Sequence, residues 1–376
     1  MAFIPYGRQS IDDADVEAVE KVLRSDFLTT GPTVGRFEKA MAEYCGASYA
    51  VAVCNGTAAL HLASLCLLEP GQKVLTTPNS FLATANAILY AGAKPVFVDI
   101  QPNGNIDLQA CEERLQADSD IKALYAVHFS GNPVEQEKLA SLKERFGLVI
   151  LEDCAHSLGA RYGNIEAGSC RHSDASIFSF HPVKNMTTGE GGMVTTNDEA
   201  LYERLLTLRN HGIVRTPGMK PWEYEMRELG FNYRITDIQC ALGLSQLAKL
   251  ENFLKKRRRL AKQYDEAFRG HPLITPLYPY HDGSAYHLYV VRIDFGRAAL
   301  DKAALFDAMH EKGIGLQVHY IPINKQPYYR RLGYGDESTP VMDEYYETCV
   351  SLPLFPDLGD TMQRKVIQTL TELLGG

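Results

Sequence analysis

The chain has 376 residues, 45% of them hydrophobic and 22% charged, with a formal net charge of −8. That balance is an ordinary globular one. Without a basic stripe or a charged tail it argues against a nucleic-acid partner. No apolar run reaches the roughly 18 residues of a membrane span, so no membrane partner is expected.

The opening MAFIPYGRQSIDDADVEAV lacks a basic segment followed by an apolar one. It does not read as a signal peptide, and a cytoplasmic setting is expected. Residues 12–25 put Val16, Val19, Val22 and Leu23 on one helical face, with Asp12 and Asp13 at the start. NGTAALHLASLCLL (55–68) reads as an Asn-Gly turn opening a helix that is apolar nearly all round, hence buried. Strand-like runs follow at 73–78, 94–100, 121–129, 148–153, 174–180 and 192–198, with helical patterns at 81–92 and 134–147 between some of them. Continuously apolar strands alternating with helices predict an α/β fold with a mainly parallel sheet covered on both faces. Residues 236–268 form one long helical pattern or two consecutive helices. Strands near 285–295 and 314–320 and helices at 301–313 and 361–374 then suggest a smaller C-terminal α+β domain. The expected division is a large domain over 1–245, N-terminal arm included, and a small one over 246–376. Eight cysteines include no CxxC pair and read as reduced core thiols. Eleven histidines include no HExxH or paired spacing, so no metal is expected.

Ligands of parallel α/β sheets bind beyond the carboxyl ends of the strands. Three features fall there. LVILED ends in Glu152 and Asp153, DASIFSF ends in Ser179 before the loop carrying Lys184, and NGTAAL offers helix N-terminal amides suited to a phosphate. A lysine amine that can form a Schiff base, a carboxylate for a pyridine nitrogen and a phosphate cradle together suggest pyridoxal 5′-phosphate. Singly, each has a plainer explanation. Lys184 could be a surface lysine in a glycine-rich loop, and Asp153 could cap the next turn.

The stretches FLTTGPTVGRFEKAMAEYCGASYAVAVCNGTAAL, TTPNSFLATANAI, GAKPVFVDI, LEDCAHSLGA, SIFSFHPVKNMTTGEGGMVTTND, RNHGI, GFNYRITDIQCALGLSQL and QVHYIPI follow one another in this order. Through them, from about residue 5 onward, the chain resembles the DegT/DnrJ/EryC1/StrS sugar aminotransferases. The resemblance implies the PLP-dependent aminotransferase fold type I. It implies that Lys184 is the Schiff-base lysine and that Asp153 partners the pyridine nitrogen. His156 falls near the cofactor's 3′-hydroxyl, where many relatives carry glutamine. Thr57, Ala58 and Ser179 fall at the phosphate, Phe81 stacks on the ring, and Asn232 reaches the phosphate from the other subunit of a homodimer.

Substrate contacts implied in the same way are Tyr6, Asp26, Phe27, Leu28, Thr29, Gln317, Val318, His319 and Tyr320. A packing arm is an equal reading for Tyr6, and a core histidine for His319. His181 and Glu190 flank Lys184 and read as structural, with tuning of the lysine or contact with substrate as the alternative. Arg234 reads either as a carboxylate clamp for the amino donor or as an ion-pair residue. The run KKRRR (255–259) reads as a solvated helix face, with a role on UDP phosphates as the alternative. The expected reaction is ping-pong transamination from L-glutamate to C4 of a UDP-linked 4-keto-6-deoxy-N-acetyl hexosamine of the pseudaminic acid pathway. The alternatives are a bacillosamine or perosamine precursor as acceptor, or a non-catalytic PLP-binding sensor.

Overall fold

The computed structural model describes residues 3–375. Its main sheet contains β1 (Tyr49–Val53), β2 (Lys73–Thr76), β3 (Lys94–Phe97), β4 (Ile121–Val127), β5 (Val149–Asp153), β6 (Ala175–Ser179) and β7 (Gly192–Thr196), in the order β1-β7-β6-β5-β4-β2-β3. From β3 to β6 every pairing is parallel. β7 runs antiparallel to both β6 and β1.

Alternation along these strands sorts their side chains onto two faces. Val51, Tyr125, Leu151 and Ile177 pack under α3 (Gly56–Leu67), α4 (Leu82–Tyr90) and α7 (Glu199–Arg209). Ala52, Leu124, Ile150 and Phe178 face the other way, toward α2 (Pro32–Cys45), α5 (Leu108–Ala117), α6 (Gln136–Phe146) and α8 (Asp237–Ala267). Both faces are therefore apolar, as a largely parallel sheet requires.

α8 is one helix of 31 residues, closed at its start by a Thr236–Gln239 capping box. At 1.5 Å per residue it spans about 46 Å. Leu250 and Leu254 pack with the main sheet, and Leu260, Ala261 and Tyr264 pack with a second sheet. That sheet is antiparallel: β8 (Ile274–Pro276), β9 (Tyr289–Ile293) and β10 (Cys349–Leu352). α9 (Lys302–Glu311) and α12 (Asp360–Leu374) lay Leu305, Met309, Val366 and Leu370 on it. The short α10 (Pro327–Arg331) brings Tyr329 edge-on to Phe97, and α11 (Pro340–Thr348) adds Met342 and Tyr345 beside Phe129.

Three sequence expectations are corrected. Residues 314–320 form no strand, only single bridges at Ile314 and Gln317. The Val318 N–H turns to its neighbour's side chain, Gln317 Oε1 at 2.8 Å, and the His319 carbonyl accepts from Tyr345 Oη at 2.6 Å. Along α1 (Asp13–Leu23), Val16 and Leu23 stay exposed and only Asp15 and Val22 are buried, because polar contacts from Asp15 to Lys249 and Gln246 hold the helix down. The basic run is not uniformly solvated. Arg257 is fully buried, and its Nη1 donates to the carbonyls of Tyr286, His287 and Leu354 at 3.0–3.2 Å.

The buried carboxylate of Glu152 accepts from His128 Nε2 at 2.8 Å, Gln136 Nε2 at 2.8 Å and Ser173 Oγ at 2.5 Å. Burial opposes its ionisation, yet His128 and these other hydrogen bonds hold its pKa down at about 2. An unfolded glutamate titrates near 4.3. The stabilisation from this site is therefore complete above roughly pH 4.3 and disappears as pH falls through about 2. Glu152→Ala, which leaves three buried donors unmatched, should lower stability by about 3 kcal/mol in urea unfolding at pH 7.

Candidate active site

Two adjacent acids end β5, and strand alternation sends them to opposite faces. Glu152 points toward α6, as described. Asp153 points toward α4, where Thr84 Oγ1 donates to its Oδ2 at 2.6 Å and the Ala155 N–H donates to Oδ1 at 3.1 Å. Thr84 spends its proton on the carboxylate, so Ser80 Oγ, 2.7 Å away, is the donor to Thr84. Asp153 is 5% exposed and held as a fixed negative end at the carboxyl edge of the sheet.

Lys184 lies on the loop that leaves β6 and returns as β7. The loop closes on itself: Thr187 Oγ1 donates to the Phe180 carbonyl at 2.9 Å, and the Phe180 N–H donates to that of Gly191 at 2.9 Å. A side chain at Gly191 would meet Thr188 Oγ1 at 2.2 Å, which explains that glycine. Gln246 on α8 accepts from the Thr187 N–H and donates to Ser10 O and Asp15 Oδ2, tying the loop to the N-terminal arm. Burial lowers the Lys184 pKa to about 8, and the attraction of Asp153 only partly opposes that. The amine is thus poised to lose its proton near neutrality.

The third feature is the turn before α3. Asn55 Oδ1 accepts from the Ala58 N–H at 2.8 Å, which leaves the amides of Gly56 and Thr57 at the open end of the helix. A Cβ at Gly56 would sit 2.9 Å from the Ser179 Cβ, and one at Gly192 would sit 2.3 Å from the Asn55 carbonyl oxygen. These glycines bring the turn against the ends of β6 and β7, so the Ser179 side chain borders the helix opening. Thr57 is exposed there, whereas the Ala58 side chain is buried in the core and its N–H is taken by Asn55.

A further wall comes from loops beside the two sheets and from the N-terminal arm. His156 Nε2 lies 3.1 Å from Tyr320 Oη, and the two rings stack 6.1 Å apart. Phe81, 59% exposed at the start of α4, has its ring 6.3 Å from that of Tyr320. His319 is buried with Nδ1 2.8 Å from Ser351 Oγ, and Tyr6 places its ring 5.5 Å away. Burial, reinforced by the positive charge of Lys184, holds His156 and His319 below the usual histidine range; His319 falls to about 3. His287 behaves likewise, 4.3 Å from His156 between ring centres.

Other predicted residues stand apart from this cluster. Asp26, Phe27, Leu28 and Thr29 are exposed and anchored to the start of α8, through Asp237 N–H to the Leu28 carbonyl at 3.0 Å and a bridge between Thr29 and Thr236. Gln317 is exposed, and Val318 packs beside the Phe129–Tyr345 group. Asn232 is exposed, bridged to Asn210, while Arg234 donates to Asn210 Oδ1 at 2.7 Å. His181 and Glu190 are exposed on the lysine loop, and the Glu190 carbonyl accepts from Gln239 Nε2 at 2.6 Å. A large cleft of about 710 Å³, lined by Gln101, Asn132, Arg161 and His281, contains none of these residues. Sequence reasoning missed Thr84 and Gln246, although both lie inside quoted family-like stretches, and Ser130 and His287, which lie in none and reach the site only through the fold.

The residues present fit pyridoxal phosphate. An amine with a lowered pKa, a fixed carboxylate, an open helix start bordered by a hydroxyl, and an exposed aromatic ring line one end of the sheet. No group of histidines, cysteines and carboxylates suited to a metal ion occurs among the described residues.

Similarity to known proteins agrees with this geometry. The sequence pattern of the DegT/DnrJ/EryC1/StrS aminotransferase family matches residues 9–371. The chain is 39% identical over 373 residues to the UDP-4-amino-4,6-dideoxy-N-acetyl-beta-L-altrosamine transaminase of Campylobacter jejuni, covering 99% of this chain and 97% of that protein. It superimposes on Helicobacter pylori PseC, an aminotransferase involved in the biosynthesis of pseudoaminic acid, with a TM-score of 0.93, 34% identity and 99% of both chains covered. Spr1654 from Streptococcus pneumoniae, in its PLP form, matches with a TM-score of 0.89 and 28% identity, over 99% of this chain and 98% of that one.

Imine formation needs a neutral amine, so the rate at which apoprotein captures an aldehyde should rise with pH through about 8. Asp153→Asn removes the attraction that favours the charged amine. Its pH profile should move to lower pH in stopped-flow absorbance; an unmoved profile would show that the carboxylate does not act on Lys184.

Proposed function

Because the chain belongs to the DegT/DnrJ/EryC1/StrS aminotransferase family, we propose that it moves an amino group from L-glutamate to C4 of a UDP-linked 4-keto-6-deoxy-N-acetyl hexosamine, as in pseudaminic acid synthesis. The protein is a pyridoxal phosphate-dependent aminotransferase with the α/β fold of that class. The identity to the Campylobacter jejuni transaminase supports the choice of sugar. The observation that carries the catalytic assignment is the placement of Lys184, on the loop after β6, within electrostatic reach of the buried Asp153 at the end of β5.

Bound pyridoxal phosphate supplies an electron sink and carries the amino group between two half-reactions. The Gly56–Thr57 amides and Ser179 Oγ would hold its phosphate, Asp153 would keep its ring nitrogen protonated, and Phe81 would pack against its ring. Lys184 Nζ takes the α-proton of glutamate and later returns a proton at the sugar carbon. Tyr6, His319 and Tyr320 face the sugar; residues 26–29 and 317–318, which stand apart from that group within one chain, are the remaining sugar contacts of this reading. Asn232 is exposed in one chain, which fits delivery to the phosphate of a second copy, and we assign the protein a homodimer with shared sites on that reading. Large apolar side chains left exposed, among them Phe27, Leu28 and Tyr90, are of the kind such a copy would cover. We assign residues 1–245 to the cofactor-binding domain and 246–376 to the small one. We place the protein in the cytoplasm, in keeping with the finding that no described helix is long and apolar enough to cross a membrane.

Purified enzyme given the 4-keto sugar nucleotide and glutamate should release 2-oxoglutarate and the 4-amino sugar, resolved by mass spectrometry. Turnover only with a bacillosamine or perosamine precursor would replace the sugar assignment. Lys184→Ala should lower turnover by about a hundredfold to ten-thousandfold. Mixing inactive Lys184→Ala and Asn232→Ala chains should restore roughly a quarter of wild-type activity, since half the dimers are mixed and each carries one intact site. No recovery after subunit exchange would rule out the shared site.

A further inference from the structure

The loop after β4 contains Ser130, a non-glycine residue with φ of 62° and 1% exposure. That backbone conformation is unfavourable for a side chain and persists only where surrounding contacts enforce it. Here they do. Ser130 Oγ donates to the Leu288 carbonyl at 2.9 Å and lies 3.2 Å from Tyr278 Oη, and the Leu288 N–H donates back to the Ser130 carbonyl. The remaining polar group, the Ser130 N–H, is aimed at His156 Nδ1 at 3.2 Å.

A ring nitrogen that accepts from an amide cannot carry a proton. The neutral His156 ring therefore holds its proton on Nε2, and that N–H points at Tyr320 Oη. Tyr320 accepts from the histidine, so its own hydroxyl proton is free for another acceptor. The tyrosine is fixed in place. Phe129 meets its ring edge-on at 6.2 Å, and Tyr345 Oη binds the preceding carbonyl. The titratable groups facing the His156 ring are Lys184, His287, His319 and Tyr320. None of the three basic groups would stabilise a second proton on it.

We propose that Ser130 and His156 are positioning residues, acting in series to make Tyr320 an obligate hydrogen-bond donor to an oxygen of the bound cofactor or sugar. The donor role for Tyr320 rests on the transaminase reading above; the tautomer of His156 does not. The same logic predicts which substitution is tolerated. Glutamine at 156 can accept from Ser130 through Oε1 and donate to Tyr320 through Nε2, whereas leucine can do neither.

The first test uses apoprotein with 15N-labelled histidine, read by long-range proton–nitrogen NMR, with His156 assigned from the signal lost in His156→Gln. We expect a neutral ring protonated on Nε2 throughout pH 6–8, a window on the order of the ordinary histidine range. A proton on Nδ1, or uptake of a second proton within that window, would overturn the proposal even in an active enzyme. The second test follows the glutamate half-reaction and the sugar half-reaction separately. His156→Gln should stay within about threefold of wild type, while His156→Leu and Tyr320→Phe each lose about tenfold to a hundredfold. Their double variant should be no slower than either alone, because the residues act on one bond. Loss in both half-reactions places the acceptor oxygen on the cofactor, which takes part in both; loss confined to the sugar half-reaction places it on the sugar; loss confined to the glutamate half-reaction fits neither and would overturn the proposal. Equal damage by glutamine and leucine, or full activity of Tyr320→Phe in both halves, would sink the idea. Failure of the proposed substrates would leave the NMR result standing.

Discussion

Taking an ammonium out of water is costly, and a carboxylate at a distance recovers only part of that cost. At Lys184 the balance falls on the side of burial, and the amine is left near pH 8 despite Asp153. Much of the surrounding structure maintains that balance. Thr84 and the Ala155 amide fix both oxygens of the carboxylate. Gln246 restrains the lysine loop through the Thr187 amide. Three histidines that burial keeps neutral line the same region and lend hydrogen-bonding capacity without adding positive charge.

The site is assembled where chain segments distant in sequence converge, and polar contacts pin that convergence. Ile4 exchanges hydrogen bonds with Gly313 and Gly315, the Tyr6 carbonyl accepts from Leu354, and the Ser10 carbonyl accepts from Gln246. The N-terminal arm is thus fastened at successive points, with Tyr6 held over His319. Arg257 gathers three carbonyls from two further segments beneath. Its burial alone brings its pKa to about 10. A lysine there would keep the charge but could not reproduce the reach of a guanidinium.

The main sheet was legible in the sequence because its strands are continuously apolar and its helices periodic. The exceptions have physical causes. β1 reads YAVAV, whose Tyr and Val favour a strand, but it is only five residues long and sequence reasoning missed it; it enters the sheet by pairing with β7. The antiparallel direction of β7 goes with a connection, 180–191, that holds no crossover helix, which apolar patterning does not record. The lysine, the acid and the helix opening were readable because strand ends carry them in a fixed order. Their supports were not. Ser130 matters through its backbone angle and Thr84 through a neighbour 69 positions away. Arg257 illustrates the limit of charge patterning: in a run of five basic residues, helical geometry buries one and leaves Lys255 and Arg259 in water.

β5 carries two different chemistries back to back, a hydrogen-bonded structural acid on one face and the site's fixed charge on the other. Their separation is one peptide unit, and strand geometry turns that unit into opposite directions. An insertion or deletion of a single residue within the strand would exchange the two environments, giving the lysine a carboxylate without Thr84 and giving His128 an acid built for a different neighbour. Divergence in this stretch is therefore confined to substitution: its length is locked by requirements on both faces at once.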